Sequence, residues 1–307
     1  SMLNKPDFQG SRWFGHLCAG TAMFFWNTSY LSVKMLLEDF TPMELSFFRF
    51  LLAYPLLWLI APRGIPFHGW KKELPLMGLG ITGVTAYYFF QNTALTLTTV
   101  SNVGVLMSIC GLMIAVLNRV FYKERTFTPS FVTGCLMAVA GAAIVTVETS
   151  GAMDFRPTGD LMALGGALSW ALYSVLNRKV GAEGYPEIAL IRRTFFWGIV
   201  FMLPILPFTE FRIGAERFLR PETLLCFVHL SLFCSLFCYI LWNIAVRILG
   251  ILTSGLYIYS GPAMAVMISV IILHEPMTAF SAAGILLILV GSLFAGKKKS
   301  EEEPVSP

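Results

Sequence analysis

Charged side chains are scarce in this chain of 307 residues. Asp, Glu, Lys and Arg together make up 13% of it, whereas apolar residues make up 56%. A soluble domain carries roughly 25% charged residues, and about half that share is too little to cover a compact body in water. The composition therefore excludes ordinary soluble domains and favours the lipid bilayer as the solvent of this chain.

The chain also lacks a strong excess of charge of either sign. Its formal net charge is +4, which is not typical of nucleic-acid-binding proteins with their clustered Lys and Arg. We expect its partners to be the lipid bilayer and a small molecule, with no nucleic acid among them. The composition predicts no particular oligomeric state.

Cysteine and histidine are few. All six cysteines lie in apolar runs, and none of the four histidines belongs to a pair with metal-ligand spacing. Disulfide frameworks are typical of small secreted chains, whereas a buried free cysteine behaves as a small hydrophobic residue. We therefore predict no disulfide framework, no metal site and no cofactor.

Long apolar runs, by contrast, fill most of the sequence. A helix needs about 20 mostly apolar residues to cross the hydrocarbon core, and ten runs meet this requirement. These predicted spans are approximately 13–37, 42–61, 73–95, 100–121, 128–148, 158–179, 187–207, 222–246, 252–273 and 277–296.

The connections between the spans are short and carry Pro, Gly or charged residues, as in 61–64 and 182–186. They leave no room for a soluble catalytic domain, so we predict that the protein is not an enzyme. Residues 297–307 begin with three lysines and continue with Ser, three glutamates and Pro. That composition is typical of disorder, and we expect a disordered cytoplasmic tail.

The basic residues of the connections predict the orientation. With the N-terminus in the cytoplasm, 14 of the 22 Lys and Arg residues fall on the cytoplasmic side, five fall on the opposite side and three lie within spans. Lys and Arg are enriched in cytoplasmic loops. We therefore expect both termini in the cytoplasm.

The two halves of the chain resemble each other. At an offset of 144 the matching pairs are Gly15 and Gly159, Leu17 and Leu161, Ala19 and Ala163, Trp26 and Trp170, Pro42 and Pro186, and Arg49 and Arg193. At an offset of 151 they are Tyr88 and Tyr239, Asn92 and Asn243, Ala94 and Ala245, Gly104 and Gly255, Glu124 and Glu275, and Ser130 and Ser281. The matches keep their order along the chain, which indicates an internal repeat.

Each repeat contains five spans, and an odd number makes the second copy cross the membrane in the opposite sense. The sequence therefore predicts an all-α membrane protein whose ten transmembrane helices form two inverted five-helix repeats. We assign residues 13–148 to the first repeat and 158–296 to the second. Inverted repeats recur in secondary transporters, which bind substrate near the bilayer midplane between the two copies.

These features resemble the drug/metabolite transporter superfamily, in its ten-helix EamA-like family. The resemblance covers nearly the whole chain and depends on residues in a fixed order: Trp26, Lys34, Pro42, Arg49, Gly261-Pro262, Glu275, Gly284 and Gly291. It implies a carrier for small organic metabolites, often amino acids, commonly acting as an exporter in the plasma (inner) membrane. The aromatic cavity implied for Trp170, Tyr87, Tyr88 and Gln91 is similar to that of bacterial amino-acid exporters. The histidine and second tyrosine usual there are replaced by Tyr88 and Gln91.

Polar and aromatic residues at helical spacing define the predicted substrate site. Tyr88, Gln91 and Asn92 share one face of span 3 because residues three and four apart are neighbours on a helix. Polar groups at membrane depth cost free energy unless they are hydrogen-bonded or hydrated, which favours a shared cavity. Hydrogen bonding between helices is the alternative. The remaining candidates are Trp26, Asn27, Trp170, Tyr173, Trp242, Asn243 and Tyr257.

Arg49 and Arg193 each follow a span-opening proline by seven residues, and the inversion places them in opposite leaflets. A guanidinium group suits a substrate carboxylate, so each could serve a vestibule of the transport path. Alternatively, each could bind the carbonyl ends of neighbouring helices in a purely structural role.

Two other functions remain as alternatives. A phosphate-ester or nucleotide-sugar antiporter of the same superfamily would need a basic cluster at the cavity, and span 9 has no Lys or Arg. A membrane-embedded enzyme or lipid-handling protein would need convergent acid–base groups. His229 is the one mid-span histidine, and its span offers no acidic partner.

Overall fold

The computed structural model describes residues 12–123, 128–150, 156–212, 214–264 and 278–296. Within these ranges the chain is helical and contains no β-strand. Glu124, Glu275 and the predicted tail at 297–307 lie outside the described residues.

The helices follow the predicted spans. In order, they are α1 Arg12–Leu36, α2 Pro42–Ile60, α3 Trp70–Leu97, α4 Val100–Tyr122, α5 Pro129–Ser150, α6 Pro157–Gly181, α7 Glu187–Met202, α8 Pro221–Leu249, α9 from Ile251 to residue 264, and α10 Ala279–Gly296. Four of them contain irregular turns: α3 is a π-helix at Ile81–Ala86, α8 is a π-helix at His229–Phe237, α4 is interrupted at Ile109, and α9 has a 3₁₀ turn at Tyr257–Tyr259.

Several described stretches meet the requirements of a membrane span. Five are both long and apolar enough: Pro42–Ile60, Asn102–Tyr122, Pro129–Val147, Pro157–Gly181 and Pro221–Leu249. Large apolar side chains on other helices also point outward, for example Leu31 in α1 and Leu293 in α10. Large contiguous apolar surfaces are rarely left in contact with water, and lipid of the bilayer covers them here. The chain is a multi-pass membrane protein.

Proline and hydroxyl residues define the helix starts. Pro42, Pro157 and Pro221 occupy first-turn positions, where the missing N–H has no helical partner to lose. The Thr41 side chain accepts from the Glu44 backbone N–H, and the Glu44 carboxylate accepts from the Thr41 backbone N–H. This capping box satisfies two backbone donors at the start of α2.

Span 7 is shorter than predicted. The sequence indicated a helix over 187–207, but α7 ends at Met202 and a 3₁₀ turn follows at Leu206–Phe208. Pro204 has no backbone N–H and its ring clashes with the preceding helical turn, so the apolar run continues past the end of the helix. The predicted span at 252–273 is described only as far as residue 264.

The repeats pack into each other rather than side by side. The first helix of each repeat packs on the third helix of the other, so α1 contacts α8 and α6 contacts α3. The second helices follow the same rule, since α2 contacts α8 and α7 contacts α3. The shared centre of the molecule is therefore built by both repeats.

Equivalent glycines allow these contacts. A Cβ on Gly15 would lie 2.9 Å from both Ile248 Cγ2 and Leu249 Cγ, and a Cβ on Gly159 would lie 2.7 Å from Thr98 Cβ. Gly15 and Gly159 are related by the offset of 144, and Thr98 and Leu249 are related by the offset of 151. The same close contact is thus made twice, once by each repeat.

Helices α5 and α10 pack against each other with opposite directions. Gly134 faces Gly291, whereas Gly141, which lies further along α5, faces the earlier Gly284 of α10. Small residues of this kind let membrane helices approach closely. The fifth helices of the two repeats are therefore antiparallel, as an inverted repeat requires.

We predict that Gly141→Ala lowers the thermal stability of the detergent-solubilised protein. The added Cβ would lie 2.5 Å from the Gly284 carbonyl oxygen, and overpacking of this kind costs about 1–3 kcal/mol. Gly181→Ala is the matched control because its Cβ would meet nothing within 4 Å. Equal stability of the two variants would contradict the proposed tight contact.

Candidate functional site

A cavity of about 190 Å³ lies among the helices of both repeats. Its described lining residues are Met23, Trp26, Asn27, Ser29, Tyr30, Arg49, Tyr87, Tyr88, Gln91, Val100, Gly104, Met107, Val145, Thr146, Trp170, Ile258, Gly261 and Pro262. The cavity extends to the end of the bundle where α4 begins, because Val100 is the first residue of that helix.

Seven of the predicted site residues line this cavity: Trp26, Asn27, Arg49, Tyr87, Tyr88, Gln91 and Trp170. Sequence reasoning missed the small and apolar part of the wall. Val100, Gly104 and Met107 have helical spacing on α4, which is a signal that could have identified them. Val145 and Thr146 follow no pattern that distinguishes them from their apolar neighbours.

Aromatic rings form the floor of the cavity. The Trp26 and Trp170 rings meet edge to face with centroids 5.2 Å apart, and Tyr87 lies 5.0 Å from Trp170. Trp26 also contacts Trp242 at 5.3 Å. Pairs at such separations stabilise each other beyond simple burial, so the floor is rigid. Trp170 lies at its centre and its indole N–H makes no hydrogen bond with a described residue.

Three predicted residues lie behind this floor instead of lining it. The Tyr173 hydroxyl donates to Asn243 Oδ1 at 3.4 Å, and Asn177 Nδ2 donates to the same oxygen at 3.1 Å. Trp242 packs on Trp26 and Trp170. Tyr173, Trp242 and Asn243 are almost fully buried and therefore support the cavity from outside.

Asn92 and Tyr257 also lie away from the cavity. Asn92 Nδ2 donates to the Ser46 hydroxyl at 2.9 Å and joins α3 to α2. The Tyr257 hydroxyl is 2.7 Å from His16 Nδ1 at the surface of α1. Tyr257 begins a 3₁₀ turn, and successive residues of such a turn point about 120° apart. The cavity is consequently lined by its neighbour Ile258.

The two equivalent arginines have different surroundings. Arg193 pairs with Glu73, with Nε 2.7 Å from Oε1 and Nη2 3.0 Å from Oε2. The Trp197 indole N–H donates to the same carboxylate at 2.6 Å. This ion pair joins α7 to α3 and lies away from the cavity. Arg49 instead lines the cavity, with its guanidinium group 4.4 Å from the Tyr88 ring centroid.

The π-helical turns occupy equivalent positions in the two repeats. Ile81–Ala86 corresponds to residues 232–237 at the offset of 151, within the π segment of α8. In α3 the Gly83 carbonyl oxygen accepts from the Tyr239 hydroxyl. In α8 the equivalent Cys234 carbonyl accepts from Trp26 Nε1 at 2.8 Å. Both bonds connect one repeat to the other, and π turns often occur at functional sites.

The described residues contain no cluster suited to a metal ion, and His229 is bonded to hydroxyl groups. No group of three or more His, Cys, Asp or Glu residues suited to a metal ion occurs among them. His229 lies 2.9 Å from the Ser32 hydroxyl and 3.2 Å from the Thr28 hydroxyl, and these contacts join α8 to α1. The histidine is thus a hydrogen-bonded interior residue, with no contact to an acidic group in the described part of the chain.

The fold and the cavity define a helical membrane transporter built from two inverted repeats. The chain belongs to the EamA-like transporter family, which matches it twice, over residues 13–147 and 157–296. The two matches correspond to the two halves that share the packing contacts described above.

Two relatives are similar over nearly their full length, and a third is similar over less than half of it. An uncharacterized transporter of Archaeoglobus fulgidus is 28% identical over 93% of this chain and 98% of its own. A probable terminal-alkyne amino-acid exporter of Streptantibioticus cattleyicolor is 24% identical over 91% of this chain and 94% of its own. The aromatic amino acid exporter YddG of Ancylobacter novellus is 30% identical over 38% of this chain and 42% of its own.

The same fold is found in a solved protein. One crystal structure superposes with a TM-score of 0.72 over 93% of this chain and 97% of its own, at 22% sequence identity. The likeness supports the helical architecture and carries no information on the transported molecule.

We predict that Trp26→Phe and Tyr239→Phe each destabilise the protein by about 0.5–2 kcal/mol. Each change leaves an aromatic ring but removes the donor to a π-segment carbonyl, which is left in a poorly hydrated environment. Tyr239→Phe removes the hydroxyl alone, whereas Trp26→Phe also shortens the indole that packs on Trp170 and Trp242. Thermal unfolding in detergent measures the loss, and hydrogen exchange should increase in the π segment that loses its donor.

Tyr257→Phe is the matched control for these two variants. It removes a hydroxyl whose partner, His16, lies on the half-buried surface of α1. A loss of stability as large in this control as in the other two would contradict a special role for the π-segment carbonyls.

Proposed function

We propose that the protein is a secondary-type carrier that exports small polar or zwitterionic metabolites, such as amino acids. It works by alternating access around the aromatic cavity. The observation that carries this proposal is an asymmetry between equivalent residues: Tyr88 and Gln91 line an open cavity, whereas Tyr239 and Trp242 are packed shut. Inverted repeats with one open and one closed half are the arrangement that alternating access requires.

The chemistry of the cavity suits a small amphipathic metabolite. Its volume of about 190 Å³ lies below the ~300–1,000 Å³ of pockets for drug-sized ligands. Aromatic faces can cover an apolar side chain, and the Gln91 amide and the Trp170 indole N–H can bond polar groups. The amino-acid exporters among the relatives support the same substrate class.

The phosphate-ester or nucleotide-sugar alternative is disfavoured. Such a substrate calls for several cations because each phosphate carries up to two negative charges. Among the described lining residues, Arg49 is the one cation. A membrane-embedded enzyme is disfavoured by the same wall, which carries no acid–base pair among its described members.

We further propose that the carrier lies in the plasma membrane with both termini in the cytoplasm. The excess of Lys and Arg in the predicted cytoplasmic segments supports this orientation. In it, the cavity occupies the external half of the bundle, because α4 begins on the external side with Val100.

Substrate flux through reconstituted protein tests the proposed function. We expect proteoliposomes containing the wild-type protein to exchange radiolabelled amino acids with unlabelled amino acids on the other side. Trp170→Ala and Gln91→Ala should reduce this exchange by tenfold or more, since about 1.4 kcal/mol of lost binding is a tenfold change. Gln91→Ala removes one methylene and an amide, a smaller change than loss of an indole, and is the variant expected to fold normally.

Leu161→Ala is the matched control for the exchange assay. This residue is on α6 like Trp170, but it is 67% exposed on the outer surface. Exchange of phosphorylated sugars without exchange of amino acids would favour the antiporter alternative instead.

Reporter fusions test the orientation. Green fluorescent protein fused after Pro307 should fluoresce, and alkaline phosphatase fused at the same point should be inactive. Alkaline phosphatase fused after Glu210, in the connection between α7 and α8, should be active. The reverse pattern would contradict cytoplasmic termini.

A further inference from the structure

Arg49 is a buried cation with no anionic partner in the described part of the chain. Arg49 is 1% exposed, its Nε donates to the Ser235 hydroxyl, and its Cζ lies 4.4 Å from the centroid of the Tyr88 ring. Nη2 makes no hydrogen bond with any described residue, and no described Asp or Glu lies within ion-pair distance of the group. A buried charge left unpaired costs several kcal/mol.

Other arginines with largely buried side chains have partners within the protein. Arg193, the equivalent of Arg49, pairs with Glu73. Arg217 lies 3.2 Å from Glu44, and Arg192 donates to the carbonyl oxygens at the end of α2. Arg192 also has no carboxylate partner among the described residues, but carbonyl oxygens accept from its guanidinium group, whereas Arg49 leaves Nη2 unpaired at the cavity.

A second unmatched polar group lines the same cavity. Gln91 is 7% exposed, and its side-chain amide makes no hydrogen bond with a described residue. Buried polar atoms are nearly always paired. Two unpaired polar groups in one cavity indicate that a bound molecule supplies both partners.

The rest of the wall limits what that molecule can be. Met23, Tyr87, Met107 and Trp170 present apolar or aromatic surface, and no Asp or Glu occurs among the described lining residues. A single arginine neutralises a monovalent anion, whereas a phosphate dianion would leave excess negative charge in the cavity. A cationic or neutral ligand would leave Arg49 unpaired.

We propose that Arg49 selects the ligand of this cavity by binding a carboxylate at Nη2. The ligand class is then an organic monocarboxylate with an apolar or aromatic body, and Gln91 forms an additional hydrogen bond with a second polar group of the ligand. Ser235 and Tyr88 hold the guanidinium plane in place. This inference rests on the proposed function and specifies which part of the substrate is required.

An amino group is accepted under this scheme but is not required. The described wall offers no carboxylate to an ammonium ion, which would meet the Gln91 amide and aromatic faces instead. Contacts of a cation with such faces are weaker than a direct ion pair in a buried site. The carboxylate is therefore the dominant recognition element.

A series of related ligands on the wild-type protein tests the proposal first. The probes are L-phenylalanine, its methyl ester, 3-phenylpropanoate and phenethylamine. The corresponding four compounds built on leucine test a second apolar side chain. Affinity is measured by calorimetry on detergent-solubilised protein. We expect the acids, with or without the amino group, to bind about 10- to 100-fold more tightly than the ester and the amine.

Variants then assign the preference to Arg49. In Arg49→Gln the ratio of acid to ester affinity should fall to about one while ester binding is unchanged, and Arg49→Lys should retain part of the preference. A purely structural role would weaken acid and ester equally and leave the ratio as in the wild type. Arg220→Gln is the control, because this exposed arginine pairs with Asp39 at the surface.

The outcomes separate this inference from the proposed function. Transport of amino acids together with equal binding of acid, ester and amine by the wild-type protein would overturn the role of Arg49 alone. Failure of all these compounds to bind or exchange would overturn both proposals. If Arg49→Gln does not fold, the ligand series on the wild-type protein decides.

Discussion

The backbone of a membrane protein must satisfy its own hydrogen bonds, because lipid offers none. The two π-helical segments depart from the regular ladder at equivalent positions, and side chains of the opposite repeat bond their carbonyl oxygens. Tyr239 reaches Gly83, and Trp26 reaches Cys234. These bonds hold the repeats together at the centre of the bundle. Since Trp26 also lines the cavity, the same residue joins the site to the contact between the repeats.

Close helix packing places the repeats around that centre. The contacts at Gly15 and Gly159 are made by equivalent residues, and the glycines of α5 and α10 face each other in antiparallel order. The frame of helices is therefore symmetric in these contacts. The cavity breaks the symmetry, because it is lined mainly by the first repeat while the corresponding residues of the second are packed together.

The charged residues also differ between the packed part of the molecule and the cavity. Arg193 and Glu73 neutralise each other away from the cavity, and Arg217 and Glu44 form a second pair between α2 and the connection that follows α7. Arg49 occupies the position equivalent to Arg193, but it faces the cavity without an anion among the described residues. A buried charge is expensive unless it is paired. The position of this group makes it the strongest polar feature that a ligand would meet.

The sequence by itself determined the number of spans and the repeat, because the bilayer imposes a length of about 20 apolar residues on each helix. Helical spacing was enough to place Tyr88 and Gln91 together, and the family resemblance pointed to Trp170. Only the tertiary structure decided that Trp242 and Asn243 are packed behind the cavity and that Tyr257 faces α1. The reason is physical: the two halves have matching sequences, but their side chains pack differently in the folded protein. The contacts of a residue therefore cannot be read from its equivalent in the other half.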